Sequence, residues 1–442
     1  MYNLFQWPLL NKHCGLLHEV FKMNDFPSYY HRIQNRGAIR SNLTTSITTE
    51  NCIIGGGLAG VSTMLSLIER GHSVALLESN TIGFGASGRN GGFLSSGFSL
   101  GISEIEQRVG LTDTKKLFRL SQKGVELVVS RSQQFCLNDE DLSAGLVRSS
   151  WFTRRDLLQK DVEYMNNTFN TSLVYWPEKK VRENYLTTRY NDAIFDPHGY
   201  QINPLNYLNK CAKASEDLGA SIYEKSRVKK INKIPDGYKV YTREGSVTAK
   251  NVILCTSAGR PWLNFKASQG ILPIETFVLV TEPLEDRLSD AIKLPYPVSD
   301  TRRIENYYRP LPNTRLLWGG GISTKQNPNN LKKKMLADLL SVYPQLKGIK
   351  GDMAWSGTMG YGRHRMPQIG RLNENLWYNQ GFGGHGLNTT SMGGELIATA
   401  IAEEDDTYKI FEPFNLAFTG RPLGLAAVQC IYWTWKIKDK FN

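Results

Sequence analysis

The stretch with the clearest chemical purpose is Gly55-Gly56-Gly57-Leu58-Ala59-Gly60, where glycine recurs at Gly55, Gly57 and Gly60. Each meets a different need. Gly55 permits a sharp turn out of a strand, Gly57 lets the backbone approach a pyrophosphate, and Gly60 lets the next helix pack tightly on the sheet. The phosphates then lie at the positive end of that helix. By itself the pattern is weak, because an ordinary strand–turn–helix also uses glycine. Its surroundings strengthen it. An apolar run at residues 50–54 precedes it, a helical pattern follows over 58–70, and Gly71 stands where a helix C-cap would be. A second apolar run at 73–78 ends on Glu78, 18 residues beyond Gly60, where a carboxylate can accept hydrogen bonds from ribose hydroxyls. Together these residues mark a dinucleotide site.

A nicotinamide enzyme would continue as alternating strands and helices. Here a second glycine-rich loop, GFGASGRNGG at residues 83–92, follows the ribose acid directly and offers Ser87, Arg89, Asn90 and Gly91. A third glycine element, GFGGHGLNTTSMGG, lies about 300 residues further on and offers Gly383, Gly384, Gly386, Leu387 and Asn388. A large cofactor gripped from several distant segments points to FAD, with Val228 as a further contact. The third element leads a strand into a helix whose N-cap candidates are Thr389, Thr390 and Ser391. A helix N-terminus aimed at the flavin pyrimidine ring would stabilise the charge of the reduced cofactor.

The elements that must position these loops read as follows. Residues 205–228 carry a helix and a short strand, then a hairpin leads into the buried run NVILC. Residues 101–190 are mainly helical in pattern, and 271–324 show the alternation of an antiparallel sheet (ILPIETFVLV, NYYRPL, RLLWGGGIST). The expected fold is α/β (α+β): a Rossmann-like FAD-binding domain with a parallel sheet, interleaved with a substrate domain on an antiparallel sheet. The FAD domain takes residues 49–100, 191–265 and 355–405, and the substrate domain takes 101–190 and 266–354. An N-terminal extension (1–48) and a C-terminal helical tail (406–442) flank them.

The 442 residues are 40% hydrophobic and 21% charged, an ordinary globular composition. The net charge of +12 is spread along the chain, with LKKKM at 331–335 the one basic run, so a nucleic-acid partner is not expected. No apolar run reaches the roughly 18 residues of a spanning helix. PLGLAAVQCIYWTW, interrupted by Gln429 and followed by KIKDKF, reads as an amphipathic helix docked on the body, with weak membrane-surface contact as an alternative. The N-terminus lacks the unbroken apolar core of a signal peptide, and Met23 is an alternative start. Six scattered cysteines read as reduced thiols, and the expected location is cytoplasmic. Neither HExxH nor paired-cysteine spacing occurs, so no metal site is expected.

The stretches SYY (28–30), IIGGGLAG, GFGASGRNGG, DPHGYQINPLNYL, LVTEPL, NYYRPL, LLWGGG, RHRMPQIGRL and GFGGHGLNTT together resemble the FAD-dependent amine/D-amino-acid oxidase superfamily. That superfamily includes sarcosine, glycine and D-amino-acid oxidases; within it the chain is most similar to gamma-glutamylputrescine oxidoreductases, from residue 24 to about residue 436. The resemblance implies oxidation of a carbon–nitrogen bond: hydride passes to flavin N5, the imine hydrolyses, and oxygen or another acceptor takes the electrons. It implies a small-molecule amine as substrate, with gamma-glutamylputrescine, an intermediate of polyamine catabolism, first. A D-amino-acid, glycine or sarcosine-type oxidase is the alternative, and a non-catalytic FAD-binding subunit the second. Relatives that bind FAD covalently use a His in the loop after the ribose acid or a Cys before the last glycine motif. This chain has Arg89 and Asn90 in that loop and no Cys in 351–380, so non-covalent FAD is expected. DPHGY departs from the relatives in carrying His198 where a small residue is frequent.

Candidate catalytic residues are Tyr308, Arg365 and His385. His385, inside GGHG, is expected beside the flavin or else satisfying backbone groups of its own loop. In relatives an arginine and tyrosines hold a substrate carboxylate, a task suited to the planar guanidinium. Arg365 and the cluster Tyr307, Tyr308, Arg309 stand at comparable places, with Arg363 and His364 weaker candidates. Successive strand residues face opposite ways, so one of Tyr307 and Tyr308 faces the flavin, and Tyr308 is the choice. On this reading Arg365→Ala raises KM.

Overall fold

A computed structural model describes residues 28–34, 40–137, 141–257, 263–324, 330–421 and 423–441. Met23 and most of the expected extension lie outside the described residues.

Continuous apolar runs cannot be half-solvated strands; they need cover on both faces. The runs at Ser46–Ile54, Val74–Leu77 and Ser246–Leu254 accordingly become the centre of a sheet, pairing in parallel with Ile53 beside Ile253 and Leu76. The order is Gln368–Asn373, Leu376–Gln380, Ser246–Leu254, Ser46–Ile54, Val74–Leu77, Ser221–Tyr223; the first strand is antiparallel, and the hairpin Lys230–Ile234/Gly237–Tyr241 folds onto the third. One face is covered by the helices Leu58–Ile68, Ile102–Gln134 and Gly386–Ala402, whose Val61, Leu65, Leu117, Val125 and Ile397 share a core with Ile53 and Leu76. The other face is packed by Val228, Tyr238 and Val240.

The turn into the first helix shows why glycine is required. Gly55 has φ +117°, and a Cβ there would lie 2.4 Å from the Cys255 carbonyl oxygen. A Cβ on Gly60 would lie 1.9 Å from the Gly55 carbonyl oxygen. The helix therefore sits on the turn at backbone distance.

The second sheet runs Gly351–Tyr361, Leu272–Thr281, Arg315–Ser323, Asn306–Leu311, Val298–Asp300, Leu142–Ser149, Ala193–Ile202, Phe93–Leu94, all antiparallel except the Val298–Asp300/Leu142–Ser149 pair. Alternation along its strands makes two faces. Phe277, Leu279, Leu316, Trp318 and Tyr308 pack outward under the helix Leu331–Val342, while Val278, Val280, Leu317, Met353 and Trp355 face the helix Tyr29–Ile33.

Three segments fall on the other side of the expected divisions. Ala193–Ile202 pairs in the antiparallel sheet although residues 191–265 were assigned with the parallel one, and Gly351–Tyr361 carries that sheet past residue 354. The helix Ile102–Gln134 packs on the parallel-sheet side, because its apolar stripe of Ile105, Leu117, Val125 and Val128 belongs to that core. Arg131, also on this helix, is buried and reaches Glu69 at 2.8 Å, with Ser62 and Ser66 beside it. Residues 28–34, counted in the extension, are built into the body of the protein.

Gly60→Ala is expected to cost roughly 1–3 kcal/mol through overpacking. A thermal melt of the purified protein checks it, as a lowered Tm.

Candidate active site

Gly57 caps the helix Leu58–Ile68 with extended backbone and offers no side chain to its N–H groups. Ser87 Oγ accepts the Leu58 N–H at 2.9 Å, so it closes the turn against the second glycine loop. The Glu78 carboxylate clamps the same turn: Oε2 accepts the Gly56 N–H at 2.7 Å, and Oε1 accepts the Asn80 N–H at 2.7 Å. Gly55, Gly57, Gly60, Glu78 and Ser87 are thus gathered at one helix N-terminus. A positive helix end and a strand-ending carboxylate suit a pyrophosphate and a ribose.

The loop at 83–92 is held in an unusual way. Four successive carbonyls are each taken by a side chain from elsewhere. Ser28 Oγ donates to Gly88 O (3.2 Å), Trp355 Nε1 to Arg89 O (2.8 Å), Tyr30 Oη to Asn90 O (3.0 Å) and Arg309 Nε to Gly91 O (2.8 Å). Asn90 spends its own amide inside the loop, donating to Ser87 O at 2.9 Å and accepting from Gly92 N at 2.9 Å. Arg89 donates to Phe84 O at 2.7 Å and Ser356 O at 3.2 Å, and stacks over the Phe84 ring. Their side chains shape the loop. Gly91 must be glycine because a Cβ would lie 2.5 Å from the Tyr307 ring. Val228 has its side chain in the core beneath the sheet, so only its backbone remains for a ligand.

In the third glycine element Gly383 (φ +60°) and Gly384 (φ +86°) turn against Tyr361; a Cβ on Gly384 would lie 2.9 Å from the Tyr361 hydroxyl. The helix begins at Gly386 with His385 as N-cap, one turn before the expected Thr389, Thr390 or Ser391. The Thr389 and Thr390 hydroxyls instead donate back to His385 O and Gly386 O, as helical threonines do. His385 Nε2 lies 3.1 Å from Ser95 O; burial holds its pKa below the usual value, so the neutral ring donates there. Leu387 is in the core. The Asn388 amide is spent on Gly97 O and Ser121 O, not on a ligand.

Tyr308 is a correction. It is fully buried on the outward face, stacked on Trp318 at 4.7 Å with its hydroxyl 2.6 Å from that of Tyr343. Tyr307 takes the inner face, packed on Gly91, Gly319 and Phe93 and in hydrogen-bond reach of Thr276. Both faces of this sheet are apolar, so alternation alone leaves the choice open. Arg309 is only 3% exposed and is committed to Gly91 O, Ile202 O and Tyr30 Oη. Arg365 is a second correction: it turns outward into a bidentate pair with Glu104 at 2.6 and 2.7 Å, more than a third exposed. His364 is buried against Asn415 O, and Arg363 is exposed. His198 is exposed on a bulge of its strand.

Residues not singled out by sequence share the inner face. Glu305 is two residues before Tyr307, and Tyr361 ends its strand beside Gly383; Met359 Sδ approaches Gly384. Glu305 is exposed at its tip while the surrounding protein crowds its carboxylate. That desolvation raises its pKa to about 7, against the opposing field of Arg148. Its charge is felt by both Tyr307 and Tyr361, whose phenols burial keeps protonated, Tyr361 with a pKa of about 12. The period of two in E-N-Y-Y-R could have carried Glu305 along with Tyr307. Nothing in the sequence marks Arg148.

A parallel sheet with a glycine-built turn into a helix, joined to an antiparallel sheet that carries Tyr307 and Tyr361 on its inner face, is the arrangement of a dinucleotide-dependent oxidoreductase. The family model for FAD-dependent oxidoreductases (DAO) matches residues 51–400, and the chain belongs to that family. It is 34% identical to gamma-glutamylputrescine oxidoreductase of Escherichia coli over 87% of this chain and 91% of that protein. It is 21% identical to glycine oxidase of Geobacillus kaustophilus over 85% and 98%. The crystal structure of that glycine oxidase covers 84% of this chain and 98% of its own at a TM-score of 0.69, and L-proline dehydrogenase from P. horikoshii covers 86% and 98% at 0.69. The protein is an FAD-dependent enzyme acting on CH–NH or CH–NH2 donors. Among the described residues no helix is long and apolar enough to cross a membrane, and no group of three His, Cys, Asp or Glu could hold a metal.

Arg309→Met is expected to leave the chain folded and to weaken FAD binding about tenfold or more, since a charged donor to carbonyls is worth roughly 1.5–3 kcal/mol. Titration of the apoprotein with FAD, beside a circular dichroism spectrum, checks this. Arg365→Ala is expected to leave KM and kcat within about twofold of wild type, an exposed pair being worth at most about 1 kcal/mol.

Proposed function

We propose that this enzyme oxidises the terminal amine of a gamma-glutamylated amine such as gamma-glutamylputrescine. The observation that carries the reading is a pair of opposite charges, Glu305 and Arg148, near enough for the field of the guanidinium to act on the carboxylate. Glu305 offers a carboxylate to the ammonium that is to be oxidised, and Arg148 a guanidinium to the carboxylate of the glutamyl head. Identity of 34% over nearly all of a gamma-glutamylputrescine oxidoreductase favours a gamma-linked substrate over a free amino acid.

When bound, FAD supplies a two-electron acceptor. The donor loses two electrons and two protons from its CH–NH2 unit, and water hydrolyses the resulting imine. The chain's share is positioning and proton control. An amine must be neutral at nitrogen to be oxidised, and a carboxylate with a pKa of about 7 can both attract the ammonium and receive its proton. Tyr307 and Tyr361, protonated throughout the neutral range, offer donors without adding charge. The flavin is held non-covalently, a reading supported by Arg89 and Asn90 in the loop and by the lack of Cys in 351–380. Five described cysteines are free thiols, which fits a reducing cytoplasm.

A glycine- or sarcosine-type oxidase is the second reading, because the same charge pair suits a free amino acid. Anaerobic single-turnover bleaching of the flavin by gamma-glutamylputrescine, sarcosine and D-alanine separates them: the first is expected to bleach fastest, and bleaching by an amino acid alone overturns the polyamine reading. Ionisation of Glu305 makes kcat/KM rise as pH passes upward through about 7. Glu305→Gln is expected to flatten that limb and raise KM about tenfold or more through loss of a charged hydrogen bond.

A further inference from the structure

The C-terminal helix Leu423–Phe441 leaves several of its large apolar side chains to water. A surface helix turns its apolar stripe to the core and its polar residues outward. Here half-buried Leu425, Val428 and Trp435 share the inner side with polar side chains that bond to the protein. Gln429 Oε1 accepts from Thr324 N at 3.1 Å, the Tyr432 hydroxyl accepts from Ile322 N at 3.0 Å, and the Asp439 carboxylate accepts from Arg303 N and Ile304 N at 3.2 and 3.0 Å. Other apolar residues face out. Leu423 is 79% exposed, Ile431 48%, Trp433 59% and Ile437 58%, with Phe418 at 61% in the approach to the helix. The hydroxyl on that face, Thr434, donates to Cys430 O and so adds little polarity.

We infer that this outward face docks on an anionic lipid surface. Large apolar side chains presented together mark a contact, and two features choose the bilayer. Exposed Lys436 and Lys438 flank Trp433 and Ile437, which matches acidic headgroups above an acyl boundary. The chain as a whole carries +12, which draws it toward a negative surface and opposes pairing with a second copy. The helix then lies in the membrane plane, with its anchors at Arg303, Ile304 and Ile322 bringing the rim that precedes Glu305 toward the lipid.

The test is co-sedimentation of the full-length holoenzyme with vesicles of phosphatidylcholine, alone or mixed with phosphatidylglycerol. Binding to the anionic vesicles is expected to be about tenfold tighter or more, and weakened by salt, since each lysine near such a surface contributes roughly a fivefold gain. The triple variant Ile431→Gln, Trp433→Gln, Ile437→Gln is expected to lose binding to the anionic vesicles while keeping its flavin spectrum and turnover. Lys436→Gln with Lys438→Gln is expected to lose the preference for the anionic vesicles. Equal recovery of the triple variant and wild type in the pellet overturns the proposal, as does no binding by wild type. A dimer in light scattering that the triple variant dissociates assigns the face to a second copy, and overturns it as well.

Discussion

The site depends on how one loop disposes of its carbonyls. Residues 88–91 present four successive carbonyl oxygens, and each is met by a donor from another part of the chain: Ser28 and Tyr30 from the first described helix and its cap, Trp355 and Arg309 from the antiparallel sheet. Each of these carbonyls is thereby satisfied within the protein. Arg309 gains as well, because a guanidinium shut off from water needs acceptors for its donors, and it finds Gly91 O, Ile202 O and Tyr30 Oη. The cofactor loop and the substrate sheet are thereby one cooperative unit, although they belong to different layers.

The same arrangement sets the electrostatics of the site. Burial keeps His385 neutral and keeps Tyr307 and Tyr361 protonated, so these groups do not change charge near neutral pH. Glu305 does, because protein surrounds it and Arg148 does not fully offset the desolvation. A single carboxylate able to gain or lose a proton near pH 7 is what an enzyme needs when its substrate arrives as an ammonium ion and must react as an amine. The C-terminal helix ties Tyr432 to Ile322 and Asp439 to Arg303 and Ile304, and leaves Ile431, Trp433 and Ile437 exposed.

The elements around the glycine turn were legible because their signals are local. Gly55 and Gly60 follow from backbone atoms that leave no room for a Cβ, and the runs CIIG, VALL and NVILC can be stable only when both faces are covered. The divisions were less so. Ala193–Ile202 reads as a strand wherever it lies, and only its partners Leu142–Ser149 and Phe93–Leu94 place it in the antiparallel sheet. The helix Ile102–Gln134 likewise has an apolar stripe that names no partner.

By itself, then, the sequence determined the glycine turn and the two kinds of sheet, since each rests on sterics or burial within a few residues. Tertiary structure alone decided which tyrosine takes the inner face of the antiparallel sheet. Tyr307 and Tyr308 are equally suited to either apolar face, and the side is set by the helix Leu331–Val342 packing over Tyr308. It also decided the fates of the arginines, because a long flexible cation goes to whichever acceptor the fold brings near. Arg365 meets Glu104 across 261 positions of sequence and Arg309 meets Gly91 across 218, separations at which no local pattern constrains a partner.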